Sequence, residues 1–150
     1  LRGVVCTTTD GLVRRVGVSK TAELFGAIDA VRCVQCRHRA VVMSEGFGGA
    51  PPRCVCGEAL RPDMVLFGEP MPRGPRELAA SWVYGGRSLL VLGADLSRPP
   101  LSRIPGEMFQ EGGVTVVLGG SGSGLERIRG VSVEGQLGRL LPALLESLSL

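Results

Sequence analysis

The spacing of apolar positions changes near Pro75. Before it, apolar residues come in short runs broken by polar turns: Val4 to Cys6, ended by Thr-Thr-Thr-Asp-Gly, then Ile28 to Arg32, Arg39 to Met43, and Met64 to Phe67, closed by Gly68. Each run predicts a strand. The Gly46–Pro52 stretch, GFGGAPP, predicts a loop. After Pro75 the period lengthens. Arg76 to Tyr84 predicts a helix, with Pro near its first turn and Gly85-Gly86 past its end. Ser88 to Leu92 and Val114 to Leu118 are continuous apolar runs of the kind found in buried parallel strands. A short helix is expected over Pro105 to Gln110, a loop over Gly119 to Gly124, and an amphipathic helix over Leu137 to Leu148 despite Pro142. This alternation predicts an α/β fold, half of a doubly wound, Rossmann-like parallel sheet, following a small β-rich module. No internal repeat is present.

Composition narrows the function classes. A net charge of +3 on 150 residues, spread along the chain, is too weak to argue for nucleic acid. No apolar run approaches the ~20 residues of a membrane span. The opening LRGVVC has neither Met nor the form of a signal peptide, and the simpler expectation is a larger protein cut, processed or incompletely sequenced at this point.

Candidate chemistry lies in the cysteines. Four of the five fall in two tight pairs, Cys33-x-x-Cys36 and Cys54-x-Cys56-Gly57. Close pairing and an odd total favour a metal over disulfides, and so a reducing intracellular compartment; cytoplasm, nucleus and mitochondrial matrix are not distinguished. Zn2+ takes four tetrahedral ligands, and four thiolates close its shell, so the expected role is structural. The second pair is one residue shorter than the usual Cys-x-x-Cys, and four uncoordinated thiols are the alternative reading. Cys6 reads as a small core residue, and His38, flanked by Arg37 and Arg39, as a solvated side chain.

The run LRPDMVLFGEPMP, Leu60 to Pro72, together with the cysteine pairs, resembles the sirtuin family of NAD-dependent protein deacylases. VVCTTTDGLVRRVG, ELFGAIDAVRCVQC and LLVLGADLSRPP resemble further family segments, so the likeness spans the chain. The family's opening section, with its Gly-Ala-Gly-Ile-Ser turn over the NAD phosphates, has no counterpart. The resemblance implies a partial Rossmann-like domain over residues 1–27 and 73–150. It implies a zinc-binding module with a peptide-facing strand over residues 28–72.

The resemblance also implies roles. The family's catalytic His, general base toward the NAD ribose, stands at Phe25, and a phenyl ring accepts no proton. Its Gln-Asn pair is replaced by Thr7 and Thr8, its Gly-Thr-Ser by Gly93, Ala94 and Asp95, and its Ile-Asn by Leu118 and Gly119. Asp10 and Gly93 remain as cofactor-facing positions. Val65, Phe67, Gly68 and Glu69 match the segment that meets an acyl-lysine peptide. The implied function is a catalytically inactive zinc-binding sirtuin fold with a binding or assembly role, for which NAD binding is doubtful. The alternative is a fragment of a deacylase whose N-terminal half is absent.

Overall fold

The computed structural model describes residues 1–41, 51–97, 99–119 and 130–148. The expected Gly46–Pro52 and Gly119–Gly124 loops, and the Val42–Met43 end of an expected strand, fall wholly or largely outside the described residues. Contacts divide the chain into two compact units, Leu1–Ala79 and Ala80–Leu150.

The first unit opens with β1 (Val4–Cys6), a one-turn helix α1 (Leu12–Arg15) and β2 (Thr21–Glu23), which returns parallel to β1 with Val5 opposite Ala22. The Asp10 carboxylate starts α1 by accepting the Leu12 N–H at 2.9 Å. After the Leu24–Phe25 turn comes β3 (Gly26–Cys33), the centre of an antiparallel sheet, with β4 (Arg39–Val41) on one side and β5 (Leu60–Met64) on the other. Gly26 is required here: its φ is 73°, and a Cβ would run into the Asp63 carbonyl of β5. Pro62 is tolerated because β5 is an edge strand.

The buried apolar residues of this unit are mostly small, with Ala22, Ala27, Ala30, Val31 and Leu24 all at or below 4% exposure. An ion-pair lattice surrounds them. Asp29 pairs with Arg14 at 2.7 Å and Arg15 at 3.4 Å, and Glu23 with Arg14 at 3.4 Å and Arg39 at 3.6 Å. Asp63 joins Arg39 at 2.5 Å and Arg32 at 3.4 Å. Burial alone would push the Asp29 carboxyl up, but hydrogen bonds and charge from Arg14 and Arg15 outweigh it and hold it below its ordinary value.

The structure corrects one strand. The apolar run Met64–Phe67 is not a strand; β5 is Leu60–Met64, and residues 65–69 leave the ladder. The cause is local: the Glu69 N–H donates to the Leu66 carbonyl at 3.0 Å, and the Glu69 carboxylate reaches back to Arg61 and the Leu66 N–H, closing a turn.

Helix α2 (Arg73–Val83) starts one turn earlier than expected and places Pro75 in its first turn, where no N–H is needed. In the second unit β6 (Ser88–Leu92), β7 (Val114–Leu118) and β8 (Gly130–Val133) form a parallel sheet in that order. A 3-10 turn (Leu101–Arg103) and α3 (Ile104–Gln110) connect β6 to β7, and α4 (Leu137–Leu148) follows β8. Val91, Val117 and Leu96 form the core, lined by Leu89, Ala94 and Leu101. The alternate positions Leu90, Leu92, Val131 and Val133 stay exposed, so the expected burial of the sheet is met on the Val91–Val117 side.

Candidate functional site

Four side chains from three local structures converge. Cys33 ends β3, Cys36 closes the turn into β4, and Cys54 and Cys56 sit in a turn before β5. Each turn is built by its own backbone. In the first, the Gln35 and Cys36 N–H groups donate to the Cys33 sulfur at 3.4 Å, and the Cys33 N–H to the His38 carbonyl at 2.9 Å. In the second, the Gly57 N–H donates to the Cys54 carbonyl and the Cys54 N–H to the Glu58 carbonyl, both at 2.8 Å. A bond from the Val34 N–H to the Ala59 carbonyl, 3.2 Å, ties the turns together.

The four Sγ atoms lie within 4.8 Å of one another. Cys33 and Cys56 are 3.5 Å apart, as are Cys36 and Cys54. A disulfide needs ~2.05 Å, and all five cysteines are free thiols. Four sulfurs ~2.3 Å from one tetrahedral zinc ion would stand ~3.8 Å apart. The donor set therefore fits zinc. Electrostatics point the same way. Burial raises the Cys33 thiol, but N–H donors from Cys36 and Gln35, with the thiols of Cys56 and Cys36, bring it down to about 6. Cys36 moves up: a backbone bond from His38 lowers it, and its thiol neighbours Cys54 and Cys33, with burial, outweigh that. One thiolate forms easily and the next resists, a conflict that a dication resolves.

The positions singled out by resemblance are placed as follows. Phe25 is half-buried in the β2–β3 turn, and its carbonyl accepts the Val65 N–H at 2.9 Å. Thr7 and Thr8 follow β1. The Thr8 hydroxyl donates to Asp10 at 3.2 Å, so Asp10 serves its own loop as well as α1. Asp95 is exposed after β6, and its carboxylate accepts the Ser97 N–H at 2.8 Å.

Gly93 and Gly119 follow β6 and β7, and both lie against Leu137 at the start of α4. A Cβ on Gly93 would stand 2.8 Å from Leu137 Cδ1, and one on Gly119 2.9 Å from its Cγ. The carboxyl ends of these strands, where open α/β sheets take their ligands, thus hold a leucine side chain. Val65 is half-buried, Phe67 fully exposed and Glu69 half-buried. The spacing of Leu137 from the two glycines, and the Arg61 partner of Glu69, were not legible as site features in the sequence.

Comparison with known proteins places this geometry. The Sir2 family model matches residues 2–100. An NAD-dependent protein deacylase of Thermococcus kodakarensis is 34% identical over 152 residues, covering 97% of this chain and 59% of the relative. An NAD-dependent protein deacetylase of Haloarcula marismortui is 37% identical over 123 residues, covering 79% of this chain and 47% of the relative. The solved structure of a Sir2 homologue–NAD complex superposes with a TM-score of 0.86 at 26% identity, over 99% of this chain and 59% of that one. The chain thus spans about three fifths of the length of its first curated relatives, 59% in the case of the Thermococcus protein. With the family model covering well over half of the sequence and the fold matching throughout, this chain belongs to the Sir2 family.

Proposed function

We infer that this chain is a sirtuin-fold binding protein: its four thiols hold a structural zinc, and it does not carry out NAD-dependent deacylation. The carrying observation is Phe25. By the resemblance, the β2–β3 turn presents the general base to the cofactor ribose, and a phenyl ring there can neither take nor return a proton. Asp95 adds a carboxylate where the family places hydroxyl donors near phosphate, which disfavours an anion. Leu137 at the ends of β6 and β7 is consistent with this reading. Zinc, held by Cys33, Cys36, Cys54 and Cys56, would supply a fixed cross-link among β3, the β3–β4 turn and the loop before β5.

The retained side of the site is Val65 to Glu69, which follows the family pattern. Its ligand class, by the resemblance, is an acyl-lysine peptide. The decisive measurement is release of nicotinamide from NAD with an acetyl-lysine peptide, for the native chain and Phe25→His side by side. Neither is expected to turn over, because Thr7, Thr8, Asp95 and Gly119 remain altered. Turnover by the native chain would overturn the inactive reading.

A second reading is favoured by one observation, the 59% coverage of NAD-dependent relatives. Under it the chain is part of a longer deacylase. An upstream reading frame encoding a Gly-Ala-Gly-Ile-Ser turn, with NAD turnover by the joined polypeptide, would select it.

A further inference from the structure

The segment after β5 is tied down at five points. The Val65 N–H is held by the Phe25 carbonyl at 2.9 Å. The Arg61 guanidinium meets the Glu69 carboxylate fork-on-fork, Nη1 to Oε1 and Nη2 to Oε2, the latter at 2.8 Å. Arg61 Nη2 also donates to the Met64 carbonyl at 3.1 Å. Glu69 Oε2 accepts the Leu66 N–H at 3.0 Å, and the Glu69 N–H returns to the Leu66 carbonyl at 3.0 Å. Both carboxylate oxygens are used inside the turn. The Arg61 hydrogen bonds, followed by the Leu66 N–H, hold the Glu69 carboxyl down to about 2.

What this turn leaves outside is apolar. Phe67 is fully exposed and Leu66 is 49% exposed. An aromatic side chain on an untied loop must surrender backbone freedom when it meets a partner, whereas a tied turn has surrendered it beforehand. A bidentate Arg–carboxylate pair is suited to that task, because its two parallel bonds fix orientation as well as distance.

We propose that Arg61 and Glu69 are positioning residues: their paired forks lock residues 65–69 in the shape that presents Phe67 to an acyl-lysine peptide, and neither side chain touches the peptide. This rests on the peptide-binding reading above. It assigns Glu69, which the family pattern groups with the substrate-facing residues, to the support of that surface.

The test compares the full zinc-loaded chain with Glu69→Gln, which keeps the shape and loses the charge, and Arg61→Lys, which keeps the charge and loses the fork. Three quantities are read: thermal midpoint, hydrogen exchange of the Leu66 and Glu69 amides, and affinity for an acetyl-lysine peptide. The midpoints should stay within ~2 °C of the native chain, since the pair is partly exposed. Exchange should quicken about tenfold in both variants, and peptide affinity should fall about tenfold.

A purely structural role would move the midpoint together with the affinity and would overturn the assignment. Unchanged exchange in both variants would overturn the clamp, and quickened exchange with unchanged affinity would overturn the presentation of Phe67. A native chain that binds no acetyl-lysine peptide refutes the peptide-binding reading itself and presentation with it, while the exchange comparison still decides the clamp.

Discussion

The two units of this chain are held together by different physics. In Leu1–Ala79 the most buried side chains are mainly alanine and cysteine, and order comes from four clustered thiols and a lattice of arginines and carboxylates. In Ala80–Leu150 order comes from a parallel sheet whose Val91, Val117 and Leu96 form a conventional apolar core. Small antiparallel sheets of this kind bury too little to stand alone and are commonly completed by a metal. The parallel sheet needs none. The first unit should therefore respond to chelators and to cysteine chemistry, and the second to core volume.

The largest effect separating them is metal removal. One zinc per chain is expected by elemental analysis, and either a strong chelator or Cys33→Ser should unfold the antiparallel sheet. Hydrogen exchange should then rise across β3, β4 and β5 while β6 and β7 keep their protection. Equal loss in both units, or no loss in either, breaks the contrast.

A smaller effect runs the other way. Val117 is fully buried, so Val117→Ala should cost about 2 kcal/mol by cavity formation. That loss, followed by denaturant titration of β6–β8 protection, should be the same with and without chelator.

The smallest expected effect lies inside the metal centre, where the two cysteine turns are not equivalent. Each is followed by a residue with positive φ: Gly57 at 89° in one, Arg37 at 62° in the other. Only glycine adopts this region without strain, and another residue loses ~1 kcal/mol or more. Arg37→Gly should stabilise the zinc-loaded unit by about 1 kcal/mol in thermal melts, and Gly57→Ala should destabilise it by a similar amount.

What could be read from the sequence follows the same division. β1, β6, β7, α3 and α4 appear where the apolar spacing puts them, because continuous apolar runs and a long amphipathic pattern survive without knowledge of neighbours. The cysteine pairs were legible as a set because their chemistry does not depend on the fold around them. β2, α1 and β8, three or four residues each, are too short to show a period. The Met64–Phe67 run misleads because its apolar residues resemble a strand, while the residues that bend it, Arg61 and Glu69, stand outside the run. Pairs such as Arg14–Asp29 and Arg39–Asp63 join residues far apart in sequence and carry no local signature. The closeness of Leu137 to Gly93 and Gly119 was equally invisible, since each glycine by itself reads as a turn.

One detail of the lattice bears on how the first unit assembles. Arg32 and Arg39 sit directly opposite each other across the β3–β4 ladder, and like charges so placed repel. Asp63, on β5, bonds to both. A β3–β4 hairpin formed ahead of β5 would have only Glu23, 3.6 Å from Arg39, to offset that repulsion, so its pairing gains from the arrival of the strand after the second cysteine pair. Sequence order and energetic order then differ: the hairpin that is nearest along the chain is completed electrostatically by the strand that is farthest.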